Sequence, residues 1–163
     1  MSIATELVTL VDDICRQRVL PAVTWLHLPP EHPRDPHHKK FGALLLADGS
    51  CGFFFTRLDT MLGHIRAHID IDNIIGTPVL DLAAGYASND PLQRTLGLGA
   101  LNAISQHLFS TDKTCLEYGS DPLGQMEVAT AHHVGMVGFF RPLVRMLEGR
   151  EITLTVIEKD ALY

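Results

Sequence analysis

Two histidine pairs are the residues of this 163-residue sequence whose types and spacing best suit metal binding. His64 and His68 lie four positions apart, so on a helix their imidazoles share a face and can bind one ion together. In a strand, His68, Asp70 and Asp72 would share a face instead and form a candidate site for a hard cation. A solvated polar face explains the same residues without a ligand, and the sequence leaves these interpretations open.

The second pair, His132 and His133, directly precedes a predicted strand that ends in a glycine-containing turn. Gly135 and Gly138 form a G-x-x-G between this strand and a predicted helix, and Glu158 lies twenty residues after Gly138. Dinucleotide sites use a similar layout, in which backbone N–H groups bind phosphate and an acidic side chain binds ribose. The full G-x-G-x-x-G is absent, so a tight strand-to-helix turn is the alternative. The histidines are either ligands or an ordinary pair at a strand edge.

Composition and cysteine spacing exclude several classes of protein. Thirteen Lys and Arg against nineteen Asp and Glu give a net charge of −6, which leaves no basic surface for nucleic acid. No apolar run approaches the ~20 residues of a membrane span, and the acidic N-terminal segment differs from a signal peptide. Cys15, Cys51 and Cys115 are odd in number and far apart, which is typical of reduced thiols. We therefore expect a cytoplasmic protein that binds neither nucleic acid nor membranes.

The hydrophobic periodicity and the turn residues predict a mixed α+β chain. A proline-rich loop follows the first strand, and Asp48-Gly49 marks a hairpin. The last strand, helix and strand form a β-α-β unit with parallel strands. The predicted elements are a helix over 3–18, strands over 22–28, 41–47 and 52–57, helices that begin at Thr77-Pro78 and Asp90-Pro91, and a final strand, helix and strand over 132–138, 139–148 and 151–157.

The long helix that begins at Asp90-Pro91 carries an unusual combination of small and polar residues. Gly97 and Gly99 destabilise a helix by roughly 1 kcal/mol each relative to Ala, so we expect a close backbone neighbour there. Asn102 lies among apolar residues on the same helix. If buried, its amide must be hydrogen-bonded, either to a neighbouring loop that it caps or to a ligand.

Three segments of the sequence resemble the heavy-metal chelation family. They are GLGALNAISQHLF (97–109), VGMVGFFRPLV (134–144) and the hairpin FGALLLADGSCGFFFT (41–56). The resemblance implies an enolase-N-terminal-like α+β domain, here residues 1–125, followed by a Rossmann-like domain, here the partial β-α-β segment 126–163. In this family the site is inferred to lie in the cleft between the two domains.

The resemblance implies a cytoplasmic binding protein for a metal ion or a metal-bearing small ligand. A transition-metal ion is the expected cofactor, although the sequence does not identify the element. The alternatives are an enzyme that acts on a nucleotide-like or phosphorylated small molecule at the glycine turn, and an assembly subunit that uses its open β-α-β edge. The expected metal ligands are His132, His133 and Glu158, with His64 and His68 as second choice, and the expected ligand-binding residues are Asn102, Gly135, Gly138, Phe139 and Glu158.

The C-terminal segment also predicts a partner. Members of the family continue for a further half of the Rossmann-like domain, whereas this sequence ends at Tyr163. A two-stranded parallel sheet cannot cover both of its faces and is at best marginal alone. We therefore expect a homodimer, or a partner protein that supplies the missing half-domain.

Overall fold

The computed structural model describes residues 2–30, 41–56, 60–112 and 127–158. The chain divides into two compact units, Met1–Cys115 and Leu116–Tyr163, and the predicted domain boundary after residue 125 stays a prediction. Residues 31–40, which make up most of the predicted proline-rich loop, lie outside the described residues. The same holds for Cys115.

Both units mix helices and strands, which confirms the predicted α+β class. The helices are α1 (Ile3–Cys15), α2 (Met61–His68), α3 (Ile71–Ile74), α4 (Val79–Ala84), α5 (Pro91–Thr111) and α6 (Arg141–Glu148), with a short 3-10 turn at Gly85–Ala87. The strands are β1 (Val23–His27), β2 (Phe41–Leu46), β3 (Cys51–Phe55), β4 (His133–Val137) and β5 (Thr153–Ile157). In the described part of the chain, every helix is too short or too polar to span a bilayer.

The first unit contains an antiparallel sheet in the order β1-β2-β3. The predicted hairpin is confirmed, with β2 and β3 paired around the Asp48-Gly49 turn. Helix α5 packs on one face of this sheet, where the side chains of Leu44, Leu46 and Phe54 are buried. This face and α5 form the core of the unit.

The glycines of α5 lie against close neighbours, as predicted. A methyl group at Gly97 would overlap the backbone of Tyr86, and one at Gly99 would overlap the ring of Phe54. Asp90 caps this helix, since its carboxylate accepts a hydrogen bond of 2.9 Å from the Leu92 N–H. The helix therefore begins where the Asp-Pro signal predicts.

Two local predictions in the first unit are wrong. The Thr77-Pro78 signal predicts Thr77 as the N-cap of α4, but its hydroxyl donates to the Asn73 carbonyl at 3.0 Å and Pro78 occupies the cap position. At Thr77, the hydrogen bond to the Asn73 carbonyl overrides the local capping signal. The spacing of Ile3, Leu7, Leu10, Val11 and Ile14 predicts one apolar face on α1, but only Val11 of this set is buried, together with Cys15.

The second unit confirms the predicted β-α-β arrangement. Strands β4 and β5 pair in parallel, from His133 opposite Thr153 to Val137 opposite Ile157. Gly138 follows β4 with φ +83°, a conformation that glycine adopts without steric cost, and its N–H donates to the Ile157 carbonyl at 2.8 Å. The glycine turn thus leads from the strand towards α6.

Candidate functional site

Helix α2 brings His64 and His68 together. Met61 and Ile65 are buried on one side of the helix, which leaves both histidines exposed. Their ring centroids lie 4.5 Å apart with the planes at 81°. The Nδ1 of His68 lies 3.0 Å from the His64 carbonyl oxygen, and because a carbonyl only accepts, this nitrogen carries the proton. With Nδ1 used in this way, Nε2 is the ring nitrogen of His68 that is left for a ligand.

The two aspartates that follow do not join this pair. Asp70 caps α3, since one carboxylate oxygen accepts from the Asp72 N–H at 3.1 Å and the other from the Asn73 amide at 3.1 Å. The alternative in which His68, Asp70 and Asp72 share a strand face is therefore wrong. Capping of the short helix uses the carboxylate that a cation would need.

The residues predicted in the second unit form separate contacts. The Nδ1 of His132 accepts from the Ala129 N–H at 3.2 Å, and the Nε2 of His133 lies 2.7 Å from the Thr155 hydroxyl. Adjacent residues of an extended chain point to opposite sides. Adjacency in the sequence therefore does not bring the two imidazoles to one point, and each has a different hydrogen-bond partner.

Glu158 lies at the other end of the two-stranded sheet. Its carboxylate accepts a hydrogen bond of 2.7 Å from the Phe139 N–H, just before α6. His133, at the start of β4, lies opposite Thr153 of β5. Glu158 comes five residues after Thr153, so roughly 16 Å of strand separates it from His133. Shared ligation by the histidines and Glu158 stays a prediction that this geometry does not support.

The glycine turn has open space around it, but the N–H group that follows it already has a hydrogen-bond partner. A methyl group at either Gly135 or Gly138 would meet no atom within 4 Å. The Phe139 N–H, which a bound phosphate would use, instead donates to the carboxylate of Glu158. In this conformation the chain's own anion is bound at the start of the helix.

Asn102 acts within the first unit. Its side-chain amide donates to the Phe53 carbonyl at 2.8 Å, and the residue is exposed rather than buried. The carbonyl that it binds belongs to strand β3 and not to a loop, and ligand binding by Asn102 stays a prediction.

One polar cluster was not predicted from the sequence. The Asp48 carboxylate lies 2.7 Å from the Nδ1 of His107 and accepts from the Ser50 N–H at 3.0 Å and the Ser50 hydroxyl at 2.8 Å. The His107 side chain is only 12% exposed. Burial raises the pKa of Asp48, but hydrogen bonds from His107 and Ser50 outweigh it and the pKa is lowered. Asp48 has the sequence signature of a turn residue, and nothing local links it to a histidine 59 positions away.

The described residues contain no group of three or more His, Cys, Asp or Glu side chains placed to hold a metal ion. Cys15 and Cys51 are free thiols, the first buried and the second partly buried. Among the described residues that were predicted as metal ligands, the largest set whose side chains lie together is thus the pair His64 and His68.

His64 also lines a pocket of about 500 Å³ in the first unit. The pocket lies beside the end of β3, the start of α2 and the first two turns of α5. Its other described lining residues are Phe55, Thr60, Met61, Tyr86, Asn89, Pro91, Arg94, Thr95 and Leu98.

Comparison with known proteins supports the resemblance seen in the sequence. Residues 40–105 match the model of a family described as "Putative heavy-metal chelation", so the resemblance is confirmed for this segment. A crystal structure of a protein of unknown function from the DUF364 family of Desulfitobacterium hafniense has a TM-score of 0.63 to this chain at 18% identity. It shares the fold over 99% of this chain, which spans 60% of that protein's length. No curated protein matches the chain.

Proposed function

We propose that this chain, whose residues 40–105 match the heavy-metal chelation family, binds a transition-metal ion through His64 and His68. The observation that carries the proposal is the convergence of the two imidazoles on one face of α2, with ring centroids 4.5 Å apart. Both histidines lie inside the matched segment, whereas His132, His133 and Glu158 lie outside it.

The geometry of the pair suits a shared ion. Imidazoles that each bind an ion at about 2.1 Å have ring centres roughly 5 Å apart, close to the spacing seen here. Metal-binding histidines usually donate their second ring N–H to a carbonyl or carboxylate, as His68 does to the His64 carbonyl. The ring of His64 makes no hydrogen bond with any described residue, so its nitrogens are available. The rings now meet edge to face, with their planes at 81°, so binding of one ion requires the side chains to rotate until one nitrogen of each faces it.

Two protein ligands leave coordination positions open. Water or the donor atoms of a small molecule would complete the shell of the ion, which fits cargo binding better than a closed structural site. Imidazole favours Cu²⁺, Ni²⁺ and Zn²⁺ among common divalent ions. We therefore expect a metal ion that arrives with, or is passed to, a small ligand.

Calorimetric titration of untagged protein with Ni²⁺ tests the proposal. His64→Ala and His68→Ala should each weaken binding more than about tenfold, because loss of even an outer-shell partner commonly costs that much. The matched control is His133→Ala, an exposed histidine of the second unit, which should bind Ni²⁺ like the wild type. Loss of binding in His133→Ala together with full binding in His64→Ala would refute the assignment.

An enzyme that binds a nucleotide-like or phosphorylated molecule at the Gly135–Gly138 turn has less support. Such a ligand would have to displace the Glu158 carboxylate from the Phe139 N–H. Nucleotides should therefore not raise the melting temperature, whereas a ligand bound only by the folded state would raise it.

We also propose that a second copy of the chain completes the second unit. Within the described residues β4 pairs with β5 alone, and Val137 and Ile157, which are cross-strand neighbours, are 88% and 63% exposed. Exposed apolar neighbours of this kind favour burial against another surface. Light scattering should give a mass of twice the 18.0 kDa of one chain. The double variant Val137→Thr, Ile157→Thr should shift the measured mass towards that of a single chain. A single-chain mass for the wild type would contradict the dimer.

A further inference from the structure

The pocket beside His64, here named the Arg94 pocket after the one Lys or Arg among its described lining residues, has features of a binding site for an organic molecule. Its volume of about 500 Å³ falls in the range of small-molecule sites. All its described lining residues belong to the first unit and come from the end of β3, α2, α5 and the segment before α5. Helices and a strand thus form its walls.

Arg94 gives the pocket its charge. Its guanidinium makes no hydrogen bond or ion pair with the residues that the structure describes, and none of the described lining residues is Asp or Glu. Among the described arginines, Arg16 and Arg18 form ion pairs, the latter with Asp112 at 2.6 Å, whereas Arg94 faces a pocket and forms none. An unpaired guanidinium in a concave site favours a bound anion.

The remaining walls divide into an apolar part and a hydrogen-bonding part. Phe55, Met61 and Leu98 provide apolar surface, which would pack against the body of a ligand. The side-chain amide of Asn89 and the hydroxyl of Thr60 also line the pocket, and neither group forms a hydrogen bond with a described residue. Thr95, by contrast, uses its hydroxyl to donate to the Pro91 carbonyl at 2.8 Å. The polar groups that remain available can fix the orientation of a ligand.

We propose that the Arg94 pocket binds a small carboxylate with an aromatic or branched aliphatic body. The planar guanidinium matches a carboxylate through two parallel hydrogen bonds, and one positive charge balances one negative charge. The apolar body lies against Phe55, Met61 and Leu98. This proposal goes beyond metal binding and does not require it, although His64 borders both sites.

The test uses metal-free protein in EDTA and two probes of equal shape, 2-naphthoate and the neutral 2-naphthamide. Ligand-observed NMR titration should show that the carboxylate binds on the order of tenfold more tightly than the amide, as expected for one charge-assisted contact. Arg94→Gln should remove this difference and leave the weaker binding of the amide unchanged.

Two control variants separate the alternatives. Arg16→Gln removes the same charge from the end of α1, outside the pocket, and should keep the preference for the carboxylate. His68→Ala removes a proposed metal ligand and should also keep it, so failure of the metal proposal leaves this one standing. Equal binding of both probes by the wild type, or an equal loss in Arg16→Gln and Arg94→Gln, would overturn the proposal.

Discussion

Replacement of Gly52 by alanine should separate β3 from α5, the contact on which the first unit is built. A β-carbon at this position would overlap the carbonyl oxygen of Gly99 and the amide nitrogen of Ala103. Both atoms belong to the backbone of α5, so no side-chain rotation can relieve the overlap. The strand and the helix must therefore move apart along their shared face.

The size of the effect follows from what has to move. Extra methyl groups in a packed core cost about 1–3 kcal/mol when side chains can adjust, and here the backbone must adjust instead. We expect Gly52→Ala to lower the free energy of unfolding by about 3 kcal/mol, a large part of the ~5–15 kcal/mol of a typical domain. For a unit of this size that corresponds to a fall in Tm of roughly 10–15 °C.

Urea denaturation followed by circular dichroism measures this change. Gly49→Ala is the matched control, because Gly49 has φ +88° but a methyl group there would meet no atom within 4 Å. The free energy of unfolding of the control should fall by only about 1 kcal/mol, the cost of a left-handed backbone at a residue with a side chain. If Gly52→Ala unfolds no more easily than Gly49→Ala, the close approach of β3 and α5 is refuted.

Three further predictions concern single contacts. Asn102→Ala loses the hydrogen bond to the Phe53 carbonyl and should unfold about 1 kcal/mol more easily in urea; no change would show that water replaces it fully. The lowered pKa of Asp48 stabilises the fold above the unfolded pKa near 4, and this stability is lost as the pH falls through the folded value. Asp48→Asn should therefore flatten the loss of stability between about pH 5 and 3, and an unchanged slope would contradict the role of the contact with His107. Burial raises the pKa of the Cys15 thiol, and the opposing effect of Arg18 is smaller. The thiol should therefore react with a disulfide reagent at pH 8 far more slowly than in unfolded protein. Equal rates would count against its burial.

Local signals in the sequence determined where many elements begin and turn. Asp48-Gly49 fixed the hairpin, Asp90-Pro91 fixed the start of α5, and the run from 132 to 157 predicted the β-α-β order that the second unit shows. These features depend on the preferences of a few consecutive residues. The resemblance to the heavy-metal chelation family likewise rested on contiguous segments, and the match over 40–105 supports it.

The sequence left open whether the segment around His64 and His68 is a helix or a strand. The spacing of His64 and His68 suited a metal in a helix, whereas alternation with Asp70 suited a strand. Burial of Met61 and Ile65 places the segment in α2, and the capping of α3 then uses Asp70. The helical alternative was therefore selected by packing rather than by the histidines.

Contacts between distant residues were decided by the tertiary structure alone. His107 meets Asp48, Asn102 meets the Phe53 carbonyl, and Glu158 meets the Phe139 N–H across 59, 49 and 19 positions. Residue type and spacing show that such groups need partners, but the choice of partner depends on how strands and helices pack. The sequence by itself determined the α+β elements and the histidine spacing; the packing determined which polar groups remained free to bind a ligand.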